Sequence, residues 1–201
     1  TTKKTTKKVT TKAPATTAAP TTAAPTTKAA ATTTKASASA ASGPAFDEAL
    51  EMAVGFTFAV SGGGFAKNPY VAVFLEDATG ASVRTIDISV QLGRGLRYIE
   101  HLTRWNGDDQ TRISKGGKDI IETVSSATRV PGTYEVVWDG RDDAGKLLPQ
   151  GTYTLFVEAA REHGPYELVK GELTIGTAKF EKNLGSNGEL QNVTVKLRAK
   201  S

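Results

Sequence analysis

Between Tyr134 and Ala160 the chain alternates apolar and polar residues with a period of two, and no other feature restricts its fold as strongly. Tyr134, Val136 and Trp138 alternate with Glu135, Val137 and Asp139. Tyr153, Leu155, Val157 and Ala159 alternate with Thr154, Phe156, Glu158 and Ala160. Successive side chains of a strand point to opposite faces, so each run lays one face on a core, which a helical repeat of 3.6 cannot do. Both runs open on Gly-Thr-Tyr, at 132–134 and 151–153, and Asp139, Gly140, Asp142, Asp143, Gly145 and Pro149 supply turn residues between them. The pattern predicts two neighbouring strands of a hairpin with Trp138 buried.

The same period recurs on both sides. Leu50, Met52, Val54, Phe56, Phe58 and Val60 hold the even positions of one long strand, ended by Gly62, Gly63 and Gly64. Tyr70 to Glu76 is more uniformly apolar, and Val83 to Val90 follows a turn at Asp77–Gly80. Glu167 to Ile175 and the set Val193, Val195 and Leu197 supply two more strands. Leu96 to Trp105 reads as strand or short helix, and the poorly patterned stretch from Asn106 to Lys118 as long loops. Seven or eight strands separated by turn signals predict an all-β fold over residues 46–201, a sandwich of the immunoglobulin or fibronectin III type.

Residues 1–45 differ in kind. They are almost entirely Thr, Ala, Lys and Pro, with Thr pairs starting at 1, 5, 10, 16, 21, 26 and 32 and prolines at 14, 20 and 25. No side chain there exceeds Val9 in apolar bulk, so the segment cannot build a core and is expected to be extended. Thr16, Thr17, Thr21, Thr22, Thr26 and Thr27, among prolines and small neighbours, suit O-glycosylation. The net charge of +4 hides a division. The tail holds seven lysines and no acid, and the remainder holds 18 basic against 21 acidic residues. A tail at +7 beside a domain at −3 points to contacts between tail and acidic surfaces, including other copies of the chain. The tail has neither Arg nor aromatics, which argues against a nucleic-acid partner.

There is no cysteine, which rules out disulfides, thiolate-bound zinc and thiol catalysis within this stretch. No apolar run approaches the ~20 residues of a membrane-spanning helix. A first residue that is Thr rather than Met points to removal of an upstream segment, with a cleaved signal peptide the natural candidate.

The series Ala127-Thr128-Arg129, Pro131-Gly132, Trp138-Asp139-Gly140, Asp142-Asp143, Gly145, Gly151-Thr152-Tyr153 and Glu158 through Gly164 resembles the exported bacterial family called domain of unknown function 2271 (DUF2271). The Trp-Asp-Gly to Gly-Thr-Tyr part alone also resembles the immunoglobulin-like module of flagellar hook-capping proteins. The resemblance runs from about Phe46 to the C-terminus and leaves out the tail. It implies a β-sandwich working outside the cytoplasm, and it singles out Arg161, Glu162, His163 and Gly164, with Arg129 as a neighbour. It implies no established activity.

Candidate chemistry is sparse. Asp139, Asp142 and Asp143 with Gly140 and Gly145 suggest calcium at first sight. However, Arg141 occupies an alternate ligand position and no closing bidentate Glu follows, so turn capping is the simpler reading. His101 and His163 are the only histidines, and Ser61 lacks the Gly-x-Ser-x-Gly frame of an activated nucleophile. Arg129, Arg161, Glu162 and His163 read either as an ion-pair network at a strand end or as a polar ligand site. Trp105 is a candidate for stacking on a sugar or a partner. Gly62 to Gly64 lack the Lys and helix of a phosphate loop and read as a turn.

These readings lead to a non-catalytic exported protein, without cofactor or metal. It is expected to be a subunit of a cell-surface or extracellular assembly of filament kind, joined through residues 1–45. Two other roles stay open: a glycan-binding module using Trp105, and, from the resemblance, a periplasmic accessory of membrane flavin or haem redox machinery.

Overall fold

A computed structural model describes residues 40–59, 68–90, 93–162 and 164–201. Chain contacts divide the molecule into Thr1–Lys35 and Ala36–Ser201, and the described residues all fall in the second unit. The six candidate glycosylation threonines, the Gly62 to Gly64 turn, Ser61 and His163 lie outside them.

Among the described residues nine strands form two sheets. They are β1 (Leu50–Phe58), β2 (Tyr70–Asp77), β3 (Ser82–Ser89), β4 (Ser125–Ser126), β5 (Gly132–Trp138), β6 (Gly151–Ala160), β7 (Tyr166–Ile175), β8 (Phe180–Asn187) and β9 (Leu190–Ala199). One sheet has the order β5-β1-β9-β8 and the other β4-β3-β2-β6-β7, and every pairing is antiparallel except β3 with β4. The protein is an all-β sandwich, as the alternation predicts.

The two inner faces share one core. The even positions of β1 meet Val71, Val73 and Leu75 of β2, Tyr153, Leu155 and Val157 of β6, and Val193, Val195 and Leu197 of β9. Trp138 is 1% exposed, packs on Phe46 with ring centroids 5.1 Å apart, and donates its indole N–H to the Arg141 carbonyl at 2.7 Å. The chain joins the sandwich slightly ahead of Phe46. Ala41 packs against the core, and Ala45 bridges to Pro149. Small residues there carry no apolar pattern that would announce it.

The hairpin expectation does not hold. β5 pairs with β1, whereas β6 pairs with β2 and β7 in the opposite sheet. Residues 139–150 therefore cross from sheet to sheet. The repeated Gly-Thr-Tyr has another meaning. Tyr134 donates its hydroxyl to the Val130 carbonyl and Tyr153 to the Pro149 carbonyl, both at 2.5 Å and both four residues back. Each motif builds the same corner by which a chain enters a strand, as tyrosine corners do in sandwiches.

Leu96 to Trp105 takes the helical of its two readings, and the stretch from Asn106, expected as loop, is helical as far as Ser114. Arg94–His101 forms a 3-10 helix, Thr103–Ser114 an α-helix (α1) and Ile121–Val124 a single helical turn (α2). They cover the outer face of the five-stranded sheet and close a second core of Tyr70, Ala72, Phe74, Ile88, Leu102, Trp105 and Phe156. This explains why β2 is apolar from Tyr70 to Leu75: it is buried on both faces. Strand β8 escaped the sequence reading because most of its side chains are exposed and its register against β9 shifts around Gly185. Its Lys182 and Asn187 side chains donate to the Glu172 and Leu168 carbonyls of β7, which occupies part of that sheet edge.

Candidate functional site

The densest chemistry of the described residues lies between α1 and the outer face of the five-stranded sheet. Three carboxylates meet there. Glu76 comes from near the end of β2, Glu158 from near the end of β6, and Asp108 from the second turn of α1. Alternation puts Glu76 and Glu158 on the outer face with Phe74 and Phe156, whose rings stack 4.9 Å apart.

Glu158, 0% exposed, sits under the start of α1 and accepts the amide N–H groups of Arg104 and Trp105, each at 2.8 Å. First-turn amides lack helical partners and carry the positive end of the helix dipole, so a carboxylate there satisfies two donors and a field together. Burial raises the pKa of Glu158, and the two amides pull it back down. The Arg104 guanidinium donates through Nε and Nη2 to one oxygen of Glu76, the Nε bond measuring 2.8 Å. It also lies 5.3 Å from the Phe156 ring centre and 3.5 Å from Asp108 Oδ2.

Asp108 is the unusual member. Its side chain is 18% exposed, and its Oδ2 is buried with no hydrogen-bond donor in bonding geometry. Burial raises its pKa first, the neighbouring Glu76 carboxyl raises it further, and the value reaches about 7 against the pull of Arg104. The same residue lines a groove of about 480 Å³ whose other walls are the Thr79–Ser82 turn and Thr111, Arg112, Lys115 and Gly117.

The seam continues along α1. Asp109 pairs with Arg112, and Arg112 donates to the Lys118 carbonyl, closing the C-terminal turn of the helix. Asp143 lies 3.7 Å from Arg84 and accepts the Thr85 amide at 2.9 Å, and burial raises its pKa. Asp142 accepts the amides of Ala144 and Lys146, and Asp139 that of Arg141. These three aspartates thus act as turn and strand caps. Among the described residues no cluster of three metal-ligating side chains occurs.

The sequence candidates fall elsewhere. Trp105 is 2% exposed and donates its indole N–H to Thr85 Oγ1 at 3.0 Å. Its ring is part of the second core, so it offers no face to a sugar. Arg129 bonds Ser89 Oγ at 2.7 Å and Asp87 at 3.0 Å, with its guanidinium 4.6 Å from the Tyr134 ring centre. Arg161 pairs with Glu189 at 2.6 Å. Beside it, Glu167 accepts the amides of Glu189 and Leu190 at 2.6 and 2.8 Å. Glu162 is half-buried in the β6–β7 connection, where its charge raises the pKa of Tyr70 after burial has done so. Among the described residues Arg129 and Arg161 have different acidic partners, Asp87 and Glu189. They build two separate networks at one end of the sandwich. The α1 seam was missed because its carboxylates are scattered between positions 76 and 158 and its helix lacks an apolar stripe.

Residues 51–192 match a family model described as "Predicted periplasmic protein (DUF2271)". No curated protein and no solved structure matches the chain. No helix among the described residues is long and apolar enough to cross a membrane.

Proposed function

The chain belongs to the DUF2271 family of predicted periplasmic proteins. From that premise we propose that it is a non-catalytic interaction protein, a subunit of an assembly in the periplasm or at the cell surface, with residues 1–45 carrying the contacts between copies. The observation that supports this reading is the use made of the buried and part-buried acidic groups other than Asp108. Glu158, Glu167 and Asp143 are spent on main-chain amides, and Glu76, Asp87 and Glu51 each face an arginine. A catalytic acid or base must exchange its proton with a substrate, and groups held in this way serve a scaffold instead. The tail at +7 beside a domain at −3 favours contact between one copy's tail and another's sandwich. Extended at about 3.1 Å per residue, 45 residues span roughly 140 Å. Sugars on Thr16, Thr17, Thr21, Thr22, Thr26 and Thr27 belong to the same proposal.

The test compares the full chain with residues 36–201 by sedimentation. The cut precedes Ala41 because that residue packs on the core. The shorter chain is expected to be a folded monomer, and the full chain to associate in a salt-dependent way. Identical oligomers from both would reduce the tail to a spacer and end the reading in which it joins the copies.

A further inference from the structure

Asp108 Oδ2 is buried without a hydrogen-bond partner, and Arg104 Nε, 3.5 Å away, is already bonded to Glu76. The second carboxylate at that guanidinium is Glu76, whose Oε1 takes both Arg104 bonds. Two carboxylates repel each other, whereas a carboxylic acid beside a carboxylate shares its proton in a hydrogen bond. Asp108 and Glu76 thus converge on one guanidinium that satisfies only Glu76, an arrangement that favours one proton held at the site.

We propose that α1 is a proton-controlled latch. A proton held between Asp108 and Glu76 keeps the helix seated on the five-stranded sheet, and its loss loosens the helix over the apolar face beneath. The charges at the site decide the direction. From α1 come Asp108 and Arg104, from β2 Glu76, and from β6 Glu158. With the proton in place, two negative charges face one guanidinium. Without it there are three, in a seam where Glu76 and Glu158 are buried. Arg112 and Lys115 on the groove wall favour an ionised Asp108, but Arg112 is bound to Asp109 and Lys115 is exposed to water, which screens it. The charge of Glu158, the other carboxylate carried to this helix, adds to the preference for the protonated side.

The direction follows from linkage. The pKa of Asp108 lies near 7 in the fold and near 3.8 unfolded. Its contribution to seating α1 is therefore complete below about pH 4 and is lost as the pH rises through 7. What the loosened helix uncovers is the second core, with Phe74, Trp105 and Phe156. A compartment whose pH follows the surroundings would read that change directly.

Hydrogen exchange on the full chain tests this, with α1 amides measured against β9 amides in the same sample so that intrinsic base catalysis cancels. Between pH 5.5 and 8.5 the protection of α1 relative to β9 is expected to fall about tenfold or more, with its midpoint near 7. Asp108→Asn, which cannot ionise, should remove the fall. Glu76→Gln takes away the neighbouring charge and should move the midpoint down by about a unit or more, which also serves if the Asn variant does not fold. A constant ratio in the wild type, a fall that survives Asp108→Asn, or a midpoint unmoved by Glu76→Gln would each overturn the latch.

Discussion

Replacing Glu158 by Ala gives the most direct measure of what holds the helical insertion. The carboxylate is fully buried and accepts two first-turn amides at 2.8 Å. Removing it leaves both donors without a partner under a covered face, at about 1–3 kcal/mol each. The lost charge at the helix N-terminus adds about 0.5–1 kcal/mol. Against this, the variant no longer buries a carboxylate, a cost evident in the raised pKa of Glu158, and water can reach the vacated space. A net loss of about 3 kcal/mol remains. In a domain of this size that corresponds to a Tm roughly 6–12 °C lower. Glu158→Gln keeps the shape and one acceptor and should lose about half as much. The sharper assay is native-state hydrogen exchange. If the loss is local, the amides of Arg104 and Trp105 exchange about a hundredfold faster while those of β1 and β9 are unchanged. If Glu158→Ala costs less than about 0.5 kcal/mol and leaves α1 protected, the carboxylate is not what seats the helix.

Two further outcomes are expected. Gly140→Ala should cost clearly more than Gly145→Ala, roughly 3 against 1 kcal/mol in denaturant titrations. Both residues have positive φ, 88° and 82°, but a Cβ at 140 would come within 2.1 Å of Phe46 Cδ1 in the ring that covers Trp138, whereas at 145 it meets nothing within 4 Å. Equal losses would show that Phe46 moves aside freely. Millimolar calcium should leave the Tm unchanged, because Asp139, Asp142 and Asp143 already accept main-chain amides. A rise of several degrees would show that those turns reorganise around the ion.

The boundary between what local sequence encodes and what long-range contact decides runs through particular residues. The even positions of β1, the alternation of β5 and β6, the burial of Trp138 and the capping aspartates of the 139–146 turn were legible. Each depends on side chains a few residues apart, because a strand exposes its two faces by parity alone. The repeated Gly-Thr-Tyr was legible too, but its meaning is a strand entry and not a shared hairpin. Which strands pair was hidden. Parity says which face is inward, not which sheet a strand joins, and β5 and β6 went to different ones. Trp105 was ambiguous for the same reason, since only the cover over β2 and β6 makes it core. Helix α1 was invisible: its sequence has Asn106 and Gly107 in its first turns and no apolar stripe. It forms there because Glu158, 54 residues from Arg104, supplies the cap that its own N-terminus lacks.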